Sequence, residues 1–356
     1  MDQKTKKNLS LGVSAALAVF IGLIVRFRVD IVNGISGLFD SSSRPAKTVL
    51  VDGINYRVEK SDNGRYAYVA PLKDDALYSG VVTVPATIQY RWKTYTVSGV
   101  DEKAFYDCKD LTEVILPEEA NWLGEFAFAG SGIQSFRMPV GEEDATIGKH
   151  AFAYCDNLKE IVIPSECAVL DYAFAHCDGL EKVVFEAEPA GHVSLFNFDV
   201  TNYVREAAFY GCQSLKTVEI HKSLFSFSTA GFMEDTYTFY PVFGECPNLT
   251  EFIIDEKCSK VSTQDGVLFS KDGTQLYLCP KSKEGVYRVP EGVQKITSSA
   301  FMGCTQLTEV YLPKSLREIG HRAFRGCKGL TVYYPYNSEA EYVDDAFDAD
   351  ATFYPY

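Results

Sequence analysis

Residues 151–164 read AFAYCDNLKEIVIP, and this stretch decides the fold because its pattern returns along the chain. A small residue and a phenylalanine are followed by a cysteine, a leucine and a short apolar segment that ends in proline. Further copies, some of them degenerate, begin at Ala104, Ala127, Ala173, Ala208, Val242, Ala300 and Ala323. A period of about 23 residues indicates a solenoid, in which each coil buries its apolar side against its neighbours.

The repeated positions predict the interior of this solenoid. The phenylalanines are expected to stack from coil to coil, and burying each one fully would contribute roughly 1.5–3 kcal/mol. Seven of the ten cysteines share one slot, which Ser131 fills in another coil. The slot therefore takes a small residue, and we expect a ladder of reduced, buried thiols. Cys258 and Cys279 lie outside the slot, and a disulfide between them is the alternative.

The N-terminus differs from the rest of the chain. Lysines precede an unbroken apolar stretch over residues 9–25, and arginines follow it. This pattern is typical of an export segment, and its length is near the lower limit of a membrane-spanning helix. We expect residues 1–28 to be a retained signal-anchor that holds the protein in the membrane through residues 9–25. A cleaved signal peptide and a buried core helix are the alternatives.

Composition shifts predict the remaining boundaries. Residues 29–48 form a tether, and residues 49–99 form a β-rich cap that covers the open end of the solenoid. The repeats occupy residues 100–335 and contain a hairpin near residues 262–290, where Asp265-Gly266 predicts a tight turn. Residues 336–356 are acidic and aromatic and are expected to form a C-terminal tail that closes this end of the solenoid, with its acidic side chains in solvent.

The frame Val/Ile-x-x-x-Ala-Phe-x-x-Cys-x-x-Leu-x-x-Val-x-Leu-Pro resembles the BspA-type leucine-rich repeat proteins of bacterial cell surfaces. The resemblance covers roughly residues 100–335. It implies a leucine-rich repeat solenoid, an α/β, strand-dominated right-handed coil stack with the N-terminal β-cap and apolar helix described above. It also implies a role in adhesion to host, matrix or other bacterial surface proteins, with no catalytic motif to transfer.

Several classes of function are disfavoured. The formal net charge is −14, and such a surface repels phosphate backbones, so nucleic acid is not an expected partner. None of the five histidines has metal-ligand spacing with another, and no nucleophile elbow, phosphate loop or HExxH motif is present. We therefore expect no enzyme activity and no cofactor.

His150 and His321 precede Ala-Phe pairs and are expected to face solvent. Calcium binding by the acidic tail is the minor alternative to a solvated terminus.

Two surfaces are candidates for binding. Alternation along the strands places one residue of each coil outward, just before the final apolar residue and proline. This outward column consists of Ile115, Arg137, Val162, Val184, Glu219, Ile253, Tyr311 and Tyr333. Exposed apolar residues in such a row indicate a binding site, although β-branched residues also simply suit strands.

The second candidate is an aromatic insert within residues 224–240, in which we single out Phe225, Phe227, Phe232 and Tyr237. Packing of a long coil on itself is the alternative for this insert. Trp92 and Trp122 could stack on sugars, but core packing is the interpretation that we favour for each.

The sequence thus predicts an exported, membrane-tethered or secreted interaction protein that binds a protein partner. A structural spacer of the cell envelope and a glycan-binding surface protein are the alternatives.

Overall fold

The computed structural model describes residues 47–139, 145–165, 167–187, 203–221, 226–227, 242–256, 258, 261–338 and 340–356. The predicted signal-anchor and nearly all of the tether lie outside these residues. Within the described part, no helix is long and apolar enough to cross a membrane.

The described residues form twenty-six strands. Their bounds are β1 (Thr48–Val51), β2 (Ile54–Ser61), β3 (Gly64–Val69), β4 (Gly80–Thr83), β5 (Thr87–Tyr90), β6 (Lys93–Val100), β7 (Leu111–Ile115), β8 (Trp122–Leu123), β9 (Ala145–Ile147), β10 (Glu160–Ile163), β11 (Cys167–Val169), β12 (Lys182–Phe185), β13 (Tyr203–Val204), β14 (Thr217–Ile220), β15 (Ser226–Phe227), β16 (Glu251–Ile254), β17 (Val261–Gln264), β18 (Val267–Ser270), β19 (Gln275–Leu278), β20 (Gly285–Arg288), β21 (Lys295–Ile296), β22 (Leu307–Tyr311), β23 (Glu318–Ile319), β24 (Thr331–Tyr334), β25 (Glu341–Tyr342) and β26 (Thr352–Pro355).

Most strands pair with the equivalent strand of the next coil, in parallel. One such sheet has the order β10-β12-β14-β16, and a second has the order β20-β22-β24-β26. The shorter strands of the same coils form separate ladders, which include β8-β9-β11-β13-β15 and β19-β21-β23-β25. Parallel pairing of successive coils is the arrangement that the repeat predicts, so the solenoid is confirmed.

The α/β assignment requires a correction, because the described residues contain no helix. Most Ala-Phe pairs lie in a turn bounded by two residues with left-handed backbone: His150 (φ 54°) and Tyr154 (φ 62°) bound the turn at Ala151-Phe152. Residues at positive φ cannot continue a right-handed helix. Instead, the backbone N–H groups of Phe126, Phe128 and Gly130 donate to carbonyls of the next coil at 3.0, 2.7 and 2.7 Å. Hydrogen bonds between coils therefore replace those of a helix.

Stacked phenylalanines fill the interior, as predicted. Phe128, Phe152 and Phe174 are fully buried, with ring centroids 4.8 and 5.0 Å apart and ring planes 1–2° from parallel. Offset or parallel aromatic contacts of this kind add to the free energy gained from burial. The same stacking continues to Phe105 on one side and to Phe209 and Phe243 on the other.

All ten cysteines are buried and free, so Cys258 and Cys279 do not form the alternative disulfide. The repeated thiols also have a role that hydrophobic burial alone does not describe. Cys155 Sγ donates to the Phe128 carbonyl at 3.1 Å, and Cys177 Sγ donates to the Phe152 carbonyl at 3.0 Å. Burial raises the pKa of the Cys155 thiol to about 12, which keeps the donor proton in place. Each thiol thus connects its coil to the carbonyl of the preceding one.

The segment before the repeats is built of hairpins that continue the strand ladders. β1 and β2 pair in antiparallel fashion around Asp52-Gly53, and β5 pairs in antiparallel fashion with β6. β6 then pairs in parallel with β8, and β4 pairs with β7. Tyr78 packs its ring 4.8 Å from that of Phe105, so the segment contacts the first phenylalanine of the interior stack.

The antiparallel hairpin β17–β18 turns at Asp265-Gly266 and lies between two groups of coils. All four residues of β18 are buried. Leu268 belongs to the core that runs from Val49, whereas Val267 and Phe269 belong to the core that continues to Ala346. The strand therefore has an apolar core on each of its two faces.

The segment predicted as an acidic tail is a further coil. Phe347 stacks on Phe324 with ring centroids 4.9 Å apart and planes 2° from parallel, and Phe324 N–H donates to the Ala346 carbonyl at 2.7 Å. Asp348 and Asp350 accept hydrogen bonds from the backbone of Gly326 and Gly329. The Ala-Phe pair at 346–347 is thus another copy of the repeat, and these acidic residues hold its turn against the coil before it.

Candidate interaction surface

The structure brings the part of the predicted outward column from Arg137 to Ile253 together as one row of side chains across neighbouring strands. Val162 pairs with Val184, Val184 with Glu219, and Glu219 with Ile253. Arg137 forms an isolated bridge with Val162. Ile115 and Ile253 expose 48% and 41% of their surface, while the two valines are half-buried. Val162 and Val184 are therefore adjacent apolar side chains on this surface, and Glu219 separates them from Ile253.

The second group of coils carries an aromatic version of the same row. Tyr311 pairs with Tyr333, and their rings stack with centroids 4.4 Å apart and planes 9° from parallel. Arg288 pairs with Tyr311 on the other side, and its guanidinium lies 3.7 Å from the centroid of that ring. Tyr333 pairs in turn with Tyr354, which is 53% exposed. The row presents ring edges, hydroxyl groups and one cation.

Arg288 and Tyr354 belong to this row but were missed from the sequence. The signal was present: Arg288-Val289-Pro290 has the same order as Tyr311-Leu312-Pro313. Tyr354 comes just before Pro355, which pairs with Tyr334. Aligning the strands on their prolines would have found Arg288, but it would have selected Phe353 in place of Tyr354, which lies one residue before its proline rather than two.

A groove of about 600 Å³ opens in the strand face where the regular sheet is interrupted. On this face between β7 and β10, the described residues form two isolated bridges, from Ser135 to Glu113 and from Arg137 to Val162, in place of a full strand. Ile115, Leu116, Phe136, Arg137 and Met138 line the groove, together with Glu113 and Glu118 at its polar side. Two residues of the outward column therefore border a depression that can receive a side chain.

Ion pairs occupy the middle of the column. Glu219 lies 2.7 Å from Lys182 Nζ and 3.1 Å from His221 Nε2. The hydrogen bond from Lys182 holds the pKa of the Glu219 carboxyl below its usual range. Because this carboxylate is already paired within the sheet, Glu219 is less available to a partner than the aliphatic residues beside it.

The other predicted residues have different outcomes. Phe225, Phe232 and Tyr237 lie outside the described residues; Phe227 belongs to β15, where it pairs with Val204. The prediction that both tryptophans pack in the core is wrong: Trp92 is 102% exposed, and Trp122 is 36% exposed with its ring edge-on to Tyr68. Trp92 lies at a hairpin tip, where no core is within reach.

The two histidines differ from each other. His321 is exposed, as predicted, and its Nδ1 lies 2.9 Å from Asp345. His150 is half-buried between the rings of Phe126 and Tyr172, which stack on it at 4.7 and 5.2 Å. The expectation that His150 faces solvent is therefore wrong, because its slot carries aromatic rings in the adjacent coils.

Among the described residues, no group of histidine, cysteine and acidic side chains could hold a metal ion.

Stacked parallel strands, inter-coil turns and buried phenylalanine ladders define a leucine-rich repeat solenoid. A family model described as "BspA type Leucine rich repeat region" matches six copies over residues 93–191, 192–264 and 279–350. The chain therefore belongs to this family, which confirms the resemblance seen in the sequence.

Two solved structures show the same fold. The pneumococcal vaccine antigen PcpA is 20% identical, with a TM-score of 0.61 over 82% of this chain and 70% of that one. A leucine rich cell surface protein from Faecalibacterium prausnitzii A2-165 is 21% identical, with a TM-score of 0.51 over 87% of this chain and 88% of that one. A comparison with curated proteins finds no match.

Proposed function

We propose that this protein is an exported, cell-surface interaction protein that binds a protein partner through the outward column, without chemical turnover. The observation that carries the proposal is the row held in register from Arg137 to Ile253, in which Val162, Val184 and Ile253 present apolar side chains. Ile115 adds an exposed apolar side chain beside the groove. Membership of the BspA-type family supports it, as do the structural relatives described as a vaccine antigen and a cell surface protein.

The groove beside Ile115 gives this surface a place for an anchoring residue. Binding energy at protein interfaces concentrates where an aromatic or aliphatic side chain fills a desolvated pocket. The lining of the groove combines apolar side chains with Arg137 and two glutamates. Such a site suits a large apolar side chain flanked by polar groups of the partner.

The tyrosine row favours a protein partner over a glycan. Sugars pack against the faces of aromatic rings, but the faces of Tyr311 and Tyr333 are stacked on each other and the outer face of Tyr311 is covered by Arg288. The hydroxyls and ring edges that remain exposed suit hydrogen bonding at a protein interface.

The test compares binding of three full-length chains to a panel of immobilised host matrix and bacterial surface proteins. The first chain is the wild type, and the second carries Ile115→Lys, Val162→Lys, Val184→Lys and Ile253→Lys in the outward column. The control carries Asn157→Lys, Gln213→Lys, Thr305→Lys and Gln306→Lys, which add the same charge at exposed residues in turns. Circular dichroism establishes that all three chains are folded.

We expect the column variant to lose at least about 100-fold in affinity, because each buried unpaired ammonium at an interface is costly. The control should bind like the wild type. An equal loss of affinity in both variants would show that the added net charge, and not the outward column, causes the loss. No loss of affinity in either variant would show that the binding site lies elsewhere. Retention by polysaccharide alone would favour the glycan alternative, and no binding to any partner would favour a spacer.

A further inference from the structure

The β5–β6 hairpin ends in a tip that folding does not explain. Tyr90 pairs with Lys93, so Arg91 and Trp92 alone form the turn. Trp92 is 102% exposed, which means that its indole packs on nothing in the described chain. Large apolar side chains are normally at least partly buried, because burial of a tryptophan is strongly favourable. A fully exposed indole at a projecting tip is available to something outside the protein.

The backbone of the same turn is unfavourable for these two residues. Arg91 has a φ of 50° and Trp92 a φ of 62°. Two-residue hairpins of this type require positive φ at both positions and therefore favour Asn-Gly or Asp-Gly. A bulky residue at positive φ is an outlier whose persistence suggests a role beyond folding. Trp92 thus costs conformational energy and gains no packing in return.

Cations flank Trp92 in the sequence and occur on the neighbouring hairpin, although the chain as a whole is acidic. Arg91 and Lys93 flank Trp92 directly, and both are exposed. The neighbouring hairpin carries Lys60 opposite Arg65. These four cations form no ion pair with a described residue, and only Arg91 has a ring contact, at 5.4 Å from the centroid of Tyr90.

The sheet places the two hairpin tips side by side. β3 and β6 run in parallel, with Tyr66 opposite Thr96. The turn at 62–63 before β3 and the turn at 91–92 before β6 therefore lie at the same edge of the sheet. Two acidic residues belong to the β2–β3 hairpin at this edge. Glu59 is already paired with Arg57 at 2.6 Å, and Asp62 lies in the turn itself. The edge combines one projecting indole with a net excess of positive charge.

We propose that this edge, centred on Trp92, is a contact site for an anionic lipid surface. The indole enters the interfacial region of the bilayer, where tryptophan is favoured because it has an apolar body and one N–H donor. Arg91, Lys93, Lys60 and Arg65 lie against the headgroups, and each cation near an anionic surface adds roughly five-fold to partitioning. One indole and a few charges make a reversible contact that orients the sheet edge on the membrane. A sugar site would instead call for carboxylates or amides beside the ring, and residues 90–93 carry none.

The test uses full-length protein in which Trp122→Phe leaves Trp92 as the one tryptophan. Vesicles of phosphatidylcholine with or without phosphatidylglycerol carry a nitroxide label near the headgroup or deep in the acyl chains. On vesicles with phosphatidylglycerol, we expect the emission of Trp92 to shift to shorter wavelength and to be quenched most by the headgroup-proximal label. Residues 1–47 are present in every sample, so any membrane affinity of their own does not distinguish the variants.

Two further variants separate lipid contact from structure. Arg91→Glu with Lys93→Glu, in the same single-tryptophan background, should lower the partition coefficient for the anionic vesicles by roughly 25-fold or more. The fraction of Trp92 emission that the lipid label quenches should fall accordingly. Trp92→Gly, read by vesicle co-sedimentation in place of fluorescence, should reduce the bound fraction while the melting temperature stays equal or rises, because glycine suits the positive φ. Unchanged Trp92 emission on both vesicle types would overturn the proposal. So would a response to a soluble protein or polysaccharide without a response to vesicles.

Discussion

Two aromatic ladders cross the coils of this molecule, one inside and one outside. Inside, Phe128, Phe152 and Phe174 stack at 4.8–5.0 Å and are fully buried. Outside, Tyr311 and Tyr333 stack at 4.4 Å on the outward side of their strands, where both remain half-exposed. The stacking geometry is nearly the same, because parallel coils place equivalent residues about one strand spacing apart.

The difference between the ladders lies in what they exclude from water. The inner ladder removes the whole rings of Phe105, Phe128, Phe152, Phe174, Phe209, Phe301 and Phe324 from solvent, so it contributes to stability. The outer ladder occurs in one group of coils, and in the other group the same slot carries Val162, Val184 and Ile253. A slot whose chemistry is constant supports the fold, and a slot whose chemistry varies between coils is free to define a recognition surface.

Phe152→Ala should produce the largest effect on the inner ladder. The substitution removes a fully buried ring that stacks on two others, and truncations of this kind cost about 3–5 kcal/mol in the free energy of unfolding. Urea unfolding followed by circular dichroism measures the change. A loss below about 1 kcal/mol would show that the coils do not depend on the phenylalanine stack.

Cys177→Ala tests the thiol ladder beside the phenylalanines. Cys177 Sγ donates to the Phe152 carbonyl. Alanine removes this donor, but the Cys155 N–H still donates to the same carbonyl at 3.1 Å, so the expected cost of losing the hydrogen bond is about 0.5–1.5 kcal/mol. Cys177→Ser retains a donor, as Ser131 does in its own coil, and should cost less than alanine. Equal losses for the two variants in the same unfolding assay would mean that the thiol acts by volume alone.

The stability of the protein should depend on pH through His150. Burial lowers the pKa of His150 below its ordinary value, with Lys149 lowering it further and Asp171 opposing. The folded state therefore binds the proton less readily than the unfolded state, and stability is lost as pH falls below about 6.5. His150→Phe fits the aromatic stack and removes this loss. Melting temperatures measured from about pH 7 to pH 5 should fall less steeply for the variant, and identical slopes would contradict the assignment.

Tyr333→Ala should have the smallest effect on stability. The ring is half-exposed, so its loss removes mainly the contact with Tyr311, which is worth about 0.5–1.5 kcal/mol. We expect a change in the free energy of unfolding of about 1 kcal/mol or less, measured in the same urea assay as Phe152→Ala. A cost equal to that of Phe152→Ala would remove the distinction between the two ladders.

The sequence predicts the inner ladder well because the same buried phenylalanine position recurs in coil after coil. It predicts the outward column for the same reason, since alternation within a strand fixes which side chain faces out. The features it missed depend on side chains at the variable positions of neighbouring coils. His150 is covered because Phe126 and Tyr172 hold the same slot in adjacent coils.

Composition also obscured one coil. The acidic character of residues 336–356 masked the Ala-Phe pair at 346–347, although three of its carboxylates form defined hydrogen bonds to the preceding coil. Trp92 was assigned to the core because hydrophobicity alone cannot reveal that a two-residue turn exposes it. The identity of a partner depends on chemistry that the repeat does not encode.

The most direct test of the central claim is site-specific photo-crosslinking on the full-length chain with its captured partner. A photoreactive phenylalanine replaces Val184 in the outward column in one sample and Asn157 in a turn in the other. We predict that the partner crosslinks from position 184 and not from position 157. Crosslinking from position 157 alone would contradict the account and would place the binding site on the turns.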